Sequence, residues 1–220
     1  MHPRIITIDG PASSGKGTLA RLIAARLGFH YLESGAIYRC LGLFVSQNYP
    51  TASVSPAQVS ALIAALHLEF SGEKILLNSQ DVTLAIRAES IGMLASKYSA
   101  IPEVRARLLQ FQRDFARVPG LVTDGRDMGS IVFPEATLKV FLTATSEIRA
   151  QRRYKQLQQL DKSVTITAIL QDIIARDQQD CERSTAPLSY DTSFKVLDNS
   201  QLSLEESIEL ILSWYSAVAR

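Results

Sequence analysis

Between Arg4 and Thr18 the chain reads RIITIDGPASSGKGT: an apolar run, Ile5-Ile6-Thr7-Ile8, then a glycine-rich turn, then Gly15-Lys16-Gly17-Thr18. Gly10, four residues, Gly15 and Lys16 have the layout of a phosphate-binding loop. Glycines let the backbone curl so that successive N–H groups face an anion. The helix that follows turns its positive N-terminal end to the same place. Lys16 adds a mobile charge for β- and γ-phosphates. The candidate phosphate-binding residues are therefore Gly10, Pro11, Ala12, Ser13, Ser14, Gly15, Lys16, Gly17 and Thr18. A plain Gly/Ser turn is the alternative. It is disfavoured by the strand-like run before the loop and by Leu19, Leu22, Ile23 and Leu27 at helical spacing after it, closed by Gly28.

One position departs from the common pattern. Gly17, not Ser or Thr, follows the lysine, so the usual magnesium-ligand hydroxyl moves one residue on, to Thr18. That argues against a GTPase or motor ATPase and for a small-molecule kinase.

Working outward, apolar runs alternate with helical patterns. Strands are expected at 4–9, 29–32, 120–124, 138–142 and 195–198, and helices at 16–27, 35–46, 102–117, 146–160, 165–182 and 204–218. Such alternation predicts an α/β fold with a five-stranded parallel sheet flanked by helices, of the P-loop NTPase type. Ligands then bind beyond the carboxyl ends of the strands, where the loop lies. Ser203 with Glu206 reads as a capping box for the last helix. Residues 50–90 break the rhythm: a helical stretch from Thr51 to Leu66 precedes short strands at 67–70, 74–77 and 81–83, with turns at Ser71-Gly72 and Asn78-Ser79. We expect one domain, with a core of 1–49, 91–150 and 184–220, an antiparallel insert at about 50–90 and a helical lid at about 151–183. In the lid, the polar run from Gln151 to Thr165 carries Arg152, Arg153 and Lys155.

Composition sets limits. The 220 residues are 46% hydrophobic, ample for a core, and 23 Lys/Arg against 22 Asp/Glu leave a formal charge of +1. Nothing there holds nucleic acid by charge alone. Cys40 and Cys181 have no metal-ligand spacing, which favours a reducing compartment. No signal pattern and no membrane-length apolar run is present, so the expectation is a cytoplasmic protein, monomeric by default.

Phosphoryl transfer between two anions needs cations around the reacting group. Arg39 follows the second strand, Arg126-Asp127 stand in a Gly-flanked turn after the third, and Arg176, Asp180 and Arg183 share one helix face. Those three also suit surface pairing, worth only about 0.3–0.5 kcal/mol per pair. Asp9 closes the first strand, and Asp124, closing the third, is placed to hold magnesium through water. An ionised phosphate acceptor needs no base. A hydroxyl acceptor would need one, which disfavours a dephospho-coenzyme A or shikimate kinase. No histidine pairs with a nucleophile, which excludes acyl transfer. A non-catalytic nucleotide-binding module is the remaining alternative.

Five segments together resemble the bacterial cytidylate kinases, of the nucleoside monophosphate kinase family: IDGPASSGKGT (Ile8–Thr18), YLESGAIYR (Tyr31–Arg39), DGRDMGSIVFPEA (Asp124–Ala136), KVFLTAT (Lys139–Thr145) and ARDQQDCERSTAPL (Ala175–Leu188). The phosphate loop is common to many folds; the third and fifth blocks are much more specific. The resemblance implies ATP-dependent phosphorylation of CMP and dCMP, with ATP and Mg2+. It implies that Gly10–Thr18 hold the ATP phosphates, with Lys16, Arg126 and Arg176 catalytic. Ser34 and Arg39 would hold the CMP phosphate, Ser96, Arg105 and Asp127 would read cytosine, and Asp180 with Arg183 would recognise the ribose. The insert would be the enlarged nucleotide-binding insert of the bacterial type. Glu33 stands where the family has Asp, Ser13-Ser14 where it often has Gly or Ala, and Gln178-Gln179 where it is more charged.

Overall fold

A computed structural model of the protein describes residues 3–49, 54–71, 74–158, 164–183 and 185–219. In chain order it contains β1 (Arg4–Asp9), α1 (Lys16–Leu27), β2 (His30–Glu33), α2 (Ser34–Asn48), α3 (Pro56–Leu62), β3 (Leu68–Ser71), β4 (Lys74–Leu77), β5 (Gln80–Asp81), α4 (Glu89–Ser99) and α5 (Pro102–Arg113). There follow β6 (Gly120–Gly125), β7 (Leu138–Thr143), α6 (Ser146–Leu157), α7 (Ile166–Glu182), β8 (Phe194–Asp198) and α8 (Leu204–Val218). The chain divides into two compact units, one of Met1–Leu32 with Phe115–Arg220, the other of Glu33–Asp114.

The first unit is built on the expected parallel sheet, in the order β2-β6-β1-β7-β8. Alternation along β1 sorts its side chains by face. Ile6 and Ile8 point into a core shared with Val122, Val140, Leu142 and Leu197, closed by Leu19 and Ile23 of α1 and Ile208, Ile211 and Tyr215 of α8. Thr7 and Asp9 take the opposite face, under a π turn at Met128–Val132. β6 is buried along its whole length, as a central parallel strand must be. α8 starts on the expected capping box, Ser203 with Glu206. α6 and α7 bury a small core of their own, Ala150, Ile169 and Ile173, with Tyr154, Leu157 and Leu170 against it.

The second unit holds the three-stranded antiparallel sheet β3-β4-β5. Asn78 and Ser79 both have positive φ, 49° and 67°, as a two-residue hairpin of matching twist requires. β5 ends at Asp81, before the expected 83, because the Asp81 carboxylate accepts from the Thr83 amide (3.0 Å) and hydroxyl (2.6 Å). Ile75, Leu77, Val82, Ile86 and Ile91 pack with Ala36 and Cys40 of α2. α4 was not expected. Its Ile91, Ala95 and Tyr98 are buried at helical spacing, and it lies so close to α2 that a Cβ on Gly42 would sit 3.1 Å from Leu94 Cβ.

Several boundaries shift. α5 stops at Arg113, short of the expected 117, where Asp114 caps it and accepts from Gln110 Nε2 at 2.7 Å. α3 starts at Pro56 after a Ser55–Gln58 capping box. Thr51 to Ser53, Gly72, and residues 159 and 160 of the expected 146–160 helix lie outside the described residues. Among the described residues no helix is long and apolar enough to cross a membrane.

The sheet's packing predicts one outcome. Ile23 is fully buried between α1 and the strands. Ile23→Ala is expected to lower the unfolding free energy by about 2–5 kcal/mol, read from urea unfolding. A change below about 1 kcal/mol would mean that α1 is not locked onto the sheet.

Candidate active site

The turn after β1 is drawn tight. Gly10 has φ 155°, and a Cβ there would meet the Leu142 carbonyl oxygen at 2.0 Å, so only glycine lets β1 leave the sheet beside β7. Ser13 has φ 60°, the left-handed region, where a side chain costs about 1–2 kcal/mol relative to the right-handed one. Serine thus stands where glycine would be unstrained. Gly15 precedes α1 with φ 92°; no side chain caps the helix and no acidic residue occupies its first turn. The first-turn amides are thus left to an anion.

Lys16 is buried, and its Nζ donates to the Pro11 carbonyl at 2.9 Å. Burial, then the neighbouring Arg126, pushes its pKa down to about 7, against the pull of Asp124, Asp180 and Asp9. Arg126, just past β6, donates from Nε to Asp180 Oδ2 at 2.6 Å. Burial opposes its charge, but the Asp180 carboxylate outweighs that and holds it above its ordinary value. Asp180 in turn is pushed up by burial and pulled lower still by Arg126. Arg183 completes the cluster, with Nη1 3.8 Å from Asp180 Oδ1 and Nε donating to the Ala186 carbonyl. Arg176 is partly buried near Asp180, and burial lowers its pKa. The Arg176/Asp180/Arg183 stripe is therefore not a solvated surface pairing. Its carboxylate reaches across to Arg126.

Asp124 accepts from Tyr31 Oη at 2.8 Å, and a Cβ on Gly17 would lie 3.8 Å from both its oxygens. A buried carboxylate thus stands beside the first turn of α1, while Thr18 faces solvent. Among the described residues no group of three or more His, Cys, Asp or Glu side chains could hold a metal ion.

Sequence reasoning left two features of the first unit without a role. The Asp9 carboxylate, fully buried, accepts from Met128 N (2.8 Å) and Gly129 N (2.7 Å), the two amides directly after Asp127. Arg152 donates to the Ser14 carbonyl (3.1 Å), to Asn199 Oδ1 (3.0 Å) and to the Asn199 carbonyl (2.9 Å), and Asn199 Nδ2 donates to the same Ser14 carbonyl at 3.1 Å. The strand-end position of Asp9 was the only available signal. Arg152 reads in sequence as one more charge on a polar helix.

The other candidates lie in the second unit. Ser34 opens α2, is buried, and donates to Gln112 Oε1 at 2.7 Å. Arg39 donates to the Ile86 carbonyl at 2.9 Å and lies against Gly92, where a Cβ would be 3.1 Å from its Nη2. Arg105 donates to the Ser99 carbonyl at 3.1 Å and sits over the Tyr38 ring; the Ser96 carbonyl accepts from the Ser99 hydroxyl at 2.9 Å. Arg87 donates to both Glu33 carboxylate oxygens, at 2.5 and 2.8 Å.

In the first unit a glycine loop, an uncapped helix end and a cation–carboxylate cluster meet at the carboxyl ends of β1 and β6. The arrangement can bind a polyphosphate and neutralise charge that develops on it.

Comparison with known proteins agrees with that chemistry. The family model described as cytidylate kinase matches residues 6–217. A cytidylate kinase of Chromobacterium violaceum is 51% identical over 211 residues, 96% of this chain and 95% of its own. One of Polynucleobacter asymbioticus is 48% identical over 216 residues, 98% of each. Among solved structures, a gluconokinase from Sinorhizobium meliloti covers 99% of this chain and 94% of its own with a TM-score of 0.50 and 14% identity, a likeness of fold alone.

Asp9 gives the site a pH signature. Burial, opposed by its two amide donors, raises its pKa from 3.8 to about 7. The folded state then holds this proton more tightly than the unfolded chain. Its contribution to stability is complete below pH 3.8 and is lost as pH rises through about 7. Between pH 4 and 8 the wild type is expected to lose stability relative to Asp9→Asn, by on the order of a few kcal/mol. Parallel stability curves for the two proteins would refute the buried titration.

Proposed function

The chain belongs to the cytidylate kinase family, and from that premise we propose that it transfers the γ-phosphoryl group of ATP to CMP and dCMP through the residues just described. A phosphate oxygen of the nucleoside monophosphate attacks Pγ, the bond from Pγ to the β–γ bridging oxygen breaks, and ADP leaves. The attacking oxygen is already ionised, so no side chain has to remove a proton. The task is positioning and charge neutralisation. The observation that carries the reading is the convergence of a glycine loop with two cations, the buried Lys16 and the partly exposed Arg126, at the strand ends.

Residues of the first unit take the following parts. Gly10 to Thr18 hold the ATP phosphates, with Lys16 at the transferring group. Arg126 and Arg176 neutralise that group and the acceptor phosphate. Asp127 accepts from the exocyclic amine of cytosine, where uracil would present a carbonyl to a carboxylate. Asp180, besides holding Arg126, and Arg183 serve the ribose hydroxyls. The partly buried α6–α7 pair is the lid. Asp124, beside the first turn of α1, and the Thr18 hydroxyl are hard oxygen donors that would hold the water shell of an ATP-bound Mg2+, which would supply further charge neutralisation. In the second unit, Ser34 and Arg39 hold the CMP phosphate and Ser96 and Arg105 face the base. Its three-stranded sheet belongs to the nucleotide-binding insert. The chain works as a monomer in the cytoplasm, without nucleic acid.

Two measurements test the proposal. In an ADP-release assay with Mg2+ and ATP, CMP and dCMP are expected to turn over and AMP and GMP are not. Lys16→Ala is expected to lower kcat by orders of magnitude. Anionic phosphates raise the Lys16 pKa from about 7, so ATP binding takes up a proton and weakens as pH rises from 7 to 9. Calorimetry in buffers of different ionisation enthalpy reads that uptake, which Lys16→Ala abolishes. Wild-type turnover in the variant would sink the loop assignment. Separately, Asp127→Asn is expected to narrow the CMP-over-UMP preference by about tenfold or more, the scale of one mispaired buried group. An unaltered ratio would remove Asp127 from base recognition.

A further inference from the structure

Arg149 lies on α6, outside every role assigned so far, and its side chain is 6% exposed. One guanidinium serves three elements. Nε donates to the Ala144 carbonyl just past β7 at 2.9 Å. Nη1 donates to the Ala12 carbonyl of the phosphate loop at 3.1 Å and to Asp177 Oδ1 of α7 at 3.0 Å, and Nη2 donates to Asp177 Oδ2 at 2.5 Å.

Each bond has a consequence for the reaction. The peptide unit is planar and trans, so its carbonyl and N–H point in opposite directions. Holding Ala12 C=O on the arginine side turns the Ser13 N–H to the other side of the loop, at the residue with φ 60°. Asp177 directly follows Arg176 and stands one helical turn before Asp180, the carboxylate that holds Arg126. The bond to Ala144 anchors the guanidinium to the end of β7, and the bidentate pair with Asp177 fixes its plane. Lysine, a point donor, cannot make that fork.

We infer that Arg149 is a positioning residue for phosphoryl transfer, registering the phosphate loop against α7 through Ala12 and Asp177. The inference rests on the assignment of the loop to ATP phosphates and of Arg176 to the group in transit.

The test is a double-mutant cycle of Arg149→Lys and Asp177→Asn, with KM for ATP and KM for CMP measured separately. Both variants are compatible with folding: the first keeps the buried charge, and the Asp177 side chain is 24% exposed. Arg149→Lys is expected to lower kcat/KM for ATP by on the order of 10²-fold, the scale of a small misplacement of reacting groups. Asp177→Asn, altering a residue that among the described residues reaches the loop through Arg149, is expected to raise KM for ATP several-fold. In both, KM for CMP stays within about twofold, and the double variant is no worse than Arg149→Lys alone. A wild-type KM for ATP in Asp177→Asn, losses that multiply in the double variant, or a KM for CMP that rises in step would overturn the tie. Lys16→Ala runs beside them: turnover there would instead defeat the loop assignment on which the tie depends.

Discussion

A loop that turns its amides toward an anion must turn its carbonyls elsewhere, and buried carbonyls need donors. In this protein cations supply them. Pro11 C=O takes Lys16, Ala12 C=O takes Arg149, and Ser14 C=O takes Arg152 together with Asn199. Glycine makes the curl accessible, but these donors select one curl among many. The strained φ of Ser13 lies between two carbonyls held in this way. Strain of about 1–2 kcal/mol is small beside several charge-assisted bonds at about 1.5–3 kcal/mol each. The loop can therefore keep a serine at a position better suited to glycine.

The same donors raise an electrostatic problem. Lys16, Arg126, Arg149 and Arg183 are gathered into a little-exposed volume, where like charges repel strongly. Each arginine is matched by a carboxylate: Arg126 and Arg183 by Asp180, Arg149 by Asp177. Lys16 is left with carboxylates at longer range, and its pKa falls to about 7. Its charge is thus the least compensated in the cluster, and it is the side chain that a polyphosphate satisfies best. The carboxylates neutralise the scaffold and leave the deficit at Lys16.

Much of this was legible in the sequence because it is local. The loop, its strand and its helix are contiguous, and strand alternation placed Asp9 and Asp124 at the right ends. The bounds of β1, α1 and α8 match the expectation residue for residue because apolar spacing, Gly28 and the Ser203–Glu206 box mark them plainly. The long-range pairs were not legible. Nothing in the run from Ser146 to Leu157 distinguishes the buried Arg149 from the exposed Lys155, since the difference lies in what β7, the loop and α7 bring to that face. α4 escaped notice for a related reason. Its apolar face is short, follows irregular strands, and acquires meaning only against Gly42 of α2.

Asp9 joins these levels. It ends β1, directly before Gly10, so its backbone belongs to the entry of the glycine loop, while its side chain fixes the amides of Met128 and Gly129. One residue therefore sets the loop's starting point and the turn that carries Arg126 and Asp127. Two neutral amide donors hold a carboxylate there, in a place where burial alone would favour the neutral acid. A neutral acid keeps acceptor capacity at both oxygens, but its hydroxyl oxygen accepts more weakly, so one of the two bonds to the turn would loosen. The buried charge costs stability, and in return the β1 and β6 ends keep a fixed register. Transfer between two bound anions depends on that register, because reacting oxygens and phosphorus must align to within a fraction of an ångström.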